Sequence, residues 1–145
     1  MTSVAFHFNV NHRLTYACRW LRKAIGQRAR VTVIGAPATL QELDRALWTM
    51  SETEFLPHCL ADAPAQIVAR TPIVLAQSLQ DAPAHRQLLL NLGEQVPEGF
   101  EQFERVTEMV GQDETERLGA RERWKHYLAR GCSITRHDLA GQGGQ

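Results

Sequence analysis

The sequence predicts a single α/β domain in which a mostly parallel sheet carries helices on both faces. Three observations lead there. Apolar and polar residues alternate over Val4–Val10, then apolar residues recur at helical spacing over Arg13–Gln27. The same strand-to-helix order repeats at Arg30–Gly35 and from Thr39 onward, as in a sheet wound with crossover helices. The chain has 145 residues, the usual size of one domain, and no linker or internal repeat divides it. The domain is therefore expected to span 1–139, with Ala140–Gln145 (A-G-Q-G-G-Q) as a disordered tail.

Taken in order, Val4–Val10 is the first strand and Asn11 is placed to cap the helix after it. In that helix Leu14, Ala17, Cys18, Leu21, Ala24 and Ile25 share one face, while Arg19, Arg22 and Lys23 lie on the other. Arg30–Gly35 is a short strand closed by Gly35 and Pro37. Thr39 and Glu42 then have the spacing of a capping box, and Leu40, Leu43 and Leu47 form the buried stripe of a second helix. Ser51–Arg70 shows no regular period. Pro72–Gln77 and Arg86–Gly93 each have a strand-like apolar centre, with Gln80–His85 a polar loop between them. Phe103–Val110 is a further strand candidate, and Asp113 can cap a last helix running to about Arg130. This is the Rossmann-like, doubly wound pattern.

Composition excludes several classes of function. Sixteen basic and sixteen acidic residues cancel, which argues against bulk electrostatic binding of nucleic acid. The distribution is uneven, however. No acid precedes Glu42, eight acids and one arginine lie between Glu94 and Glu116, and six basic residues and one glutamate between Arg117 and Arg136. No apolar run is long enough to span a membrane, and the amino terminus lacks a signal-peptide layout, so a cytoplasmic location with no membrane partner is expected. Cys18, Cys59 and Cys132 are odd in number and form no C-x-x-C pair, which points to reduced thiols. His58 beside Cys59 has no further ligand at a defined spacing, so no metal and no cofactor are expected.

Catalytic patterns are missing too. The turns that could cradle a phosphate, Phe8–His12 and Gly35-Ala-Pro-Ala, contain no G-x-G-x-x-G and no P-loop. No G-x-S-x-G elbow is present, and the acids of Glu94–Glu116 read as a solvated face. No catalytic residue is therefore assigned.

Two constellations remain. At 100° per residue, Arg117, Arg121, Trp124, Lys125 and Leu128 fall within about 100° on the last helix, with Ala120 and Tyr127 beside them toward the core. This is either an ordinary half-buried stripe with snorkelling arginines or a pocket for a peptide bearing both carboxylates and an apolar side chain. The second lies in Leu47–Met50 and Phe55–His58. Trp48 falls off the leucine stripe, and with Phe55 and Pro57 it is either a corner of the core or a partner contact.

The runs L-D-R-A-L-W and F-L-P-H-x-L (Leu43–Trp48, Phe55–Leu60), together with A-R-E-R-W-K-H-Y-x-x-x-G (Ala120–Gly131), resemble the chi subunit of bacterial DNA polymerase III holoenzyme. The resemblance covers Val4 to about Leu139. It implies a small α/β fold without enzymatic activity, acting as an adaptor in DNA replication. One implied partner is the acidic, phenylalanine-ending tail of single-stranded DNA-binding protein, which would meet Arg121 with Arg117, Trp124 and Lys125 around it and Leu128 on the same face. The other is the psi subunit of the clamp loader, meeting Trp48, Phe55 and Pro57, a surface that an accessory helicase could occupy in its place. Association with nucleic acid would then be indirect. Arg117 and Trp124 stand where the family pattern has lysine and tyrosine, and Ala61–Gln87 and the segment after Gly131 match it poorly. Two other readings compete: a direct nucleic-acid binder using the acid-free first 41 residues, and a nucleotide-dependent enzyme, against which the missing glycine-rich turn weighs.

Overall fold

The computed structural model describes residues 2–49, 56–83 and 85–141. Seven strands form one sheet: β1 (Ser3–Val10), β2 (Val31–Ile34), β3 (His58–Leu60), β4 (Ile73–Ala76), β5 (Leu88–Asn91), β6 (Arg105–Gly111) and β7 (Ser133–Asp138). Their spatial order is β3-β4-β2-β5-β6-β1-β7, and every pairing is parallel. Four helices connect them: α1 (Arg13–Gly26), α2 (Pro37–Thr49), α3 (Ala65–Arg70) and α4 (Glu114–Ala129).

A parallel sheet needs cover on both faces, and the side-chain alternation of the strands supplies two cores. On one face Val31, Val33, Ile73, Leu75, Leu90 and Met109 meet Ala17, Cys18 and Leu21 of α1 and Leu40, Leu43 and Leu47 of α2. On the other, Val4, Phe6, Leu89, Val106 and Val110 meet Ala120 and Tyr127 of α4, with Phe100 and Phe103. The stripe expected for the second helix is buried, and so is that of the first apart from Leu14 and Ile25, which are half-buried. The expected strands sit within a residue or two of their predicted limits.

Several expectations are corrected. Asn11 does not cap α1: His12 holds the cap position, without a side-chain bond. Thr39 lies within α2 rather than at its cap, because Pro37, whose fixed φ suits the first helical turn, starts the helix earlier. Ser51–Arg70 contains β3 and α3, the expected polar loop Gln80–His85 begins inside a 3-10 turn at Leu79–Asp81, and the segment after Gly131 forms β7 on the sheet edge. The expected tail starts inside another 3-10 turn, Leu139–Gly141, with Leu139 buried, and residues 142–145 lie outside the described residues.

One irregularity bears on the site. The register of β1 against β6 shifts between His7 and Val10, and Asn9 adopts φ 61° there, a left-handed conformation that asparagine tolerates well. The Asn9 amide then donates to the Asp138 carboxylate at 2.7 Å, fastening the ends of β1 and β7 together.

Candidate functional site

α4 presents the predicted cationic stripe. Asp113 caps it as expected, accepting a bond from the Glu116 backbone N–H at 3.3 Å, and Glu114 and Glu116 place negative charge against the positive end of the helix dipole. Ala120 and Tyr127 are fully buried, so the opposite side must face solvent. There Arg117, Arg121, Lys125 and Leu128 are exposed, Leu128 to 60%.

Trp124 sits between these groups and the core. Its half-buried ring packs 5.0 Å from Phe6 and 6.1 Å from Phe8 of β1. Phe8 in turn lies under the Arg136 guanidinium of β7, 4.9 Å from the ring centre. The structure thus brings all five predicted residues onto one side of α4 and adds Phe8 and Arg136, which sequence reasoning missed. Only the β1–β7 register, pairing Phe6 with Arg136 and Phe8 with Asp138, places them there.

The charge on this surface is mostly uncommitted. Lys125 pairs with Glu122 at 3.5 Å, one turn away, but both side chains are exposed and such a pair contributes little. Arg117 and Arg121 make no ion pair among the described residues. Asp138 stands near Arg117 and Arg136. The amide of Asn9, the backbone N–H of Ala140 and these two cations hold its carboxyl below the usual range.

Beneath α4 lies a polar cluster that corrects the reading of Glu94–Glu116 as wholly solvated. Glu108 is fully buried. Its carboxylate accepts from Arg123 Nε at 2.9 Å, Tyr127 OH at 2.6 Å and Asn91 Nδ2 at 2.8 Å. Burial pushes the Glu108 carboxyl up, against the pull of Arg123, and also pushes the Tyr127 hydroxyl up, with the Glu108 charge adding to it. Arg123 also donates to the Glu94 carbonyl at 2.9 Å, tying α4 to the loop after β5. The signal for this cluster was present in the sequence: on the helical wheel Arg123 falls beside Tyr127, on the buried side.

The second patch lies at the far edge of the sheet. Trp48, at the end of α2, is 56% exposed, outside the core, and its ring lies 5.0 Å from that of His58. His58 is buried, with Nδ1 at 2.7 Å from the Leu56 carbonyl and Nε2 at 3.0 Å from Asp44. Pro57 is half-buried, and Phe55 lies outside the described residues.

The crevice at the carboxyl ends of β2, β4 and β5, where such sheets usually bind ligands, measures about 1000 Å³. Its two arginines are engaged within the protein. Arg13 donates to the Leu92 carbonyl and pairs with Glu116, while Arg86 donates to the Pro83 and His85 carbonyls.

Residues 1–135 match the family of the DNA polymerase III chi subunit, HolC. The chain belongs to that family. Its curated relatives include the DNA polymerase III subunit chi of Pseudomonas aeruginosa, 34% identical over 96% of this chain and 98% of that protein. The subunit chi of Haemophilus influenzae is 27% identical over 85% of each. Membership places this chi-family chain among the accessory subunits of the replicative polymerase. The match includes the whole of α4 and the Trp48 segment, so both surfaces lie within the shared part of the chain. Among the described residues no helix is long and apolar enough to cross a membrane.

Proposed function

We propose that the chain is a non-catalytic adaptor of the replication machinery. The face of α4 receives the acidic, phenylalanine-ending tail of single-stranded DNA-binding protein. The surface around Trp48, Pro57 and Phe55 receives the psi subunit of the clamp loader, or an accessory helicase in its place. Nucleic acid is then approached through the first partner.

The observation that carries this reading is the pairing of exposed cations with an aromatic floor on one helix face. Arg117 and Arg121 project from α4 without an ion pair among the described residues, and Trp124 and Phe8 line the apolar side beside them. A guanidinium can take a terminal carboxylate through two parallel bonds, and a ring floor can take the preceding side chain. Hydrogen bonds to a charged group contribute about 1.5–3 kcal/mol. Arg121→Ala is therefore expected to weaken a fluorescent tail peptide roughly 10- to 100-fold in anisotropy titrations, with an unchanged circular-dichroism spectrum. Wild-type affinity should also fall as salt rises, because exposed charges are screened over about 8–10 Å at 0.1–0.15 M. Unchanged peptide affinity in Arg121→Ala would reject the assignment.

A further inference from the structure

The adaptor reading leaves unused the α1 end of the sheet face opposite α4, away from Trp48. There a groove of about 460 Å³ runs between α1 and strands β1 and β6, reaching His137 of β7. Three cations line it: Arg19 and Lys23 from α1, and Arg105 from the start of β6. Among the described residues none of the three makes an ion pair and no carboxylate lines the groove. The sequence explains the one-sided charge. The first acid is Glu42, so α1 cannot bring a counter-charge of its own.

Flat rings interleave with these cations. Tyr16 and Trp20 project from α1 into the same groove. His7 and His137 stack across the β1–β7 pair, 4.7 Å apart and 29° from parallel, and the Tyr16 ring stands 5.5 Å from His7. Cations that follow a backbone, with ring faces on which bases can stack, are the two components of sequence-tolerant binding to single strands.

We propose that this groove binds single-stranded nucleic acid directly, with Arg19, Lys23 and Arg105 meeting phosphates and the Tyr16, Trp20 and histidine rings meeting bases. An acidic peptide would use the cations but not the run of ring faces, so the nucleic acid fits more of the groove. With zero net charge on the chain as a whole, attraction comes from local patches of cations such as this one and is steeply salt-dependent. The site shares no residue with the α4 face and does not depend on the adaptor reading.

The test uses the intact chain without other proteins and a labelled oligothymidylate about 15 nucleotides long, near the upper site size of a single-strand groove. Anisotropy titrations should show binding that weakens between about 50 and 200 mM salt. Each phosphate contact on a single strand contributes about −0.7 to the slope of log K against log salt. Arg19→Ala/Lys23→Ala should therefore flatten the slope by about 1.4 and weaken binding about tenfold near 0.1 M salt. Arg121→Ala should bind the oligonucleotide as the wild type does. No binding at low salt, or equal binding by the double variant, would overturn the proposal. So would displacement of the oligonucleotide by an acidic peptide in the Arg121→Ala background, which would give the groove to a protein partner.

Discussion

At the scale of single residues, Glu108 governs how α4 is held. A carboxylate with no exposure is tolerable only because four bonds converge on the cluster around it: from Arg123, Tyr127 and Asn91 to the carboxylate, and from Arg123 onward to the Glu94 carbonyl. Removing one partner of a buried pair typically costs about 3–5 kcal/mol, because the other charge is stranded. Arg123→Ala should lose that much in urea unfolding. Adding Glu108→Gln, which removes the stranded charge but keeps an acceptor for Tyr127, should recover more than half. Equal losses in the single and double variants would show that lost packing, not charge, sets the cost. These residues also mark where sequence reading stops. Arg117, Arg121 and Leu128 were legible as exposed because a wheel needs only the helix itself. Phe8 and Arg136 were not, since they reach the site only through pairing between distant strands. Glu108 looked like its acidic neighbours because periodicity does not register a buried partner fifteen residues away.

At the scale of elements, the chain was readable where an element carries its own pattern. α1, α2 and α4 have buried stripes, and β1, β2, β4, β5 and β6 have apolar centres, so each declared itself. β3 has three residues, α3 has six with Val68 alone buried, and β7 is an edge strand exposed along most of its length. None of these has enough buried side chains to create a period; β3 and β7 exist because a neighbouring strand supplies the hydrogen bonds, while α3 closes its own turn from Ile67 and Val68 back to Pro64. Trp48 belongs to this scale, since it marks the end of α2 and the approach to β3. An exposed indole adds little to folding, whereas a buried interface anchor contributes at least about 2 kcal/mol of binding. Trp48→Ala should therefore leave the melting temperature nearly unchanged while psi binding falls about thirtyfold or more, with tail-peptide affinity unaffected. A large drop in melting temperature would instead assign Trp48 a core role, for which truncation costs about 3–5 kcal/mol.

At the scale of the whole molecule, the two proposed partner surfaces stand apart. β3 and β1 are five strand spacings from each other, about 24 Å at 4.8 Å per strand, so one partner need not displace the other. Acid should loosen the molecule as a unit. His7 is held down to about 4 by burial and by His137, with Tyr16 against its ring, and His85 down to about 4 by burial and by Arg30 and Arg86. Unfolded histidines titrate near 6.5, so below that pH the unfolded chain binds more protons than the folded one. Stability should thus be full above about pH 6.5 and fall as pH drops toward 4. Thermal melts across that window should show the decline, and His7→Gln should make it shallower, with the His85 contribution remaining; a flat wild-type profile would contradict the assignment. The sheet order has a further consequence, for the time at which the chain can fold. β1 is made first, yet its two neighbours are β6 and β7, with Ser3 waiting for Arg105 on one side and Ser133 on the other. On the ribosome, β2, β3, β4 and β5 can assemble while the first strand is still unseated and the flank of β5 is bare. Pairings so distant in sequence close slowly, and a bare strand flank invites association with other chains. Release of a chain cut short before Ser133 would remove the outer neighbour of its own beginning.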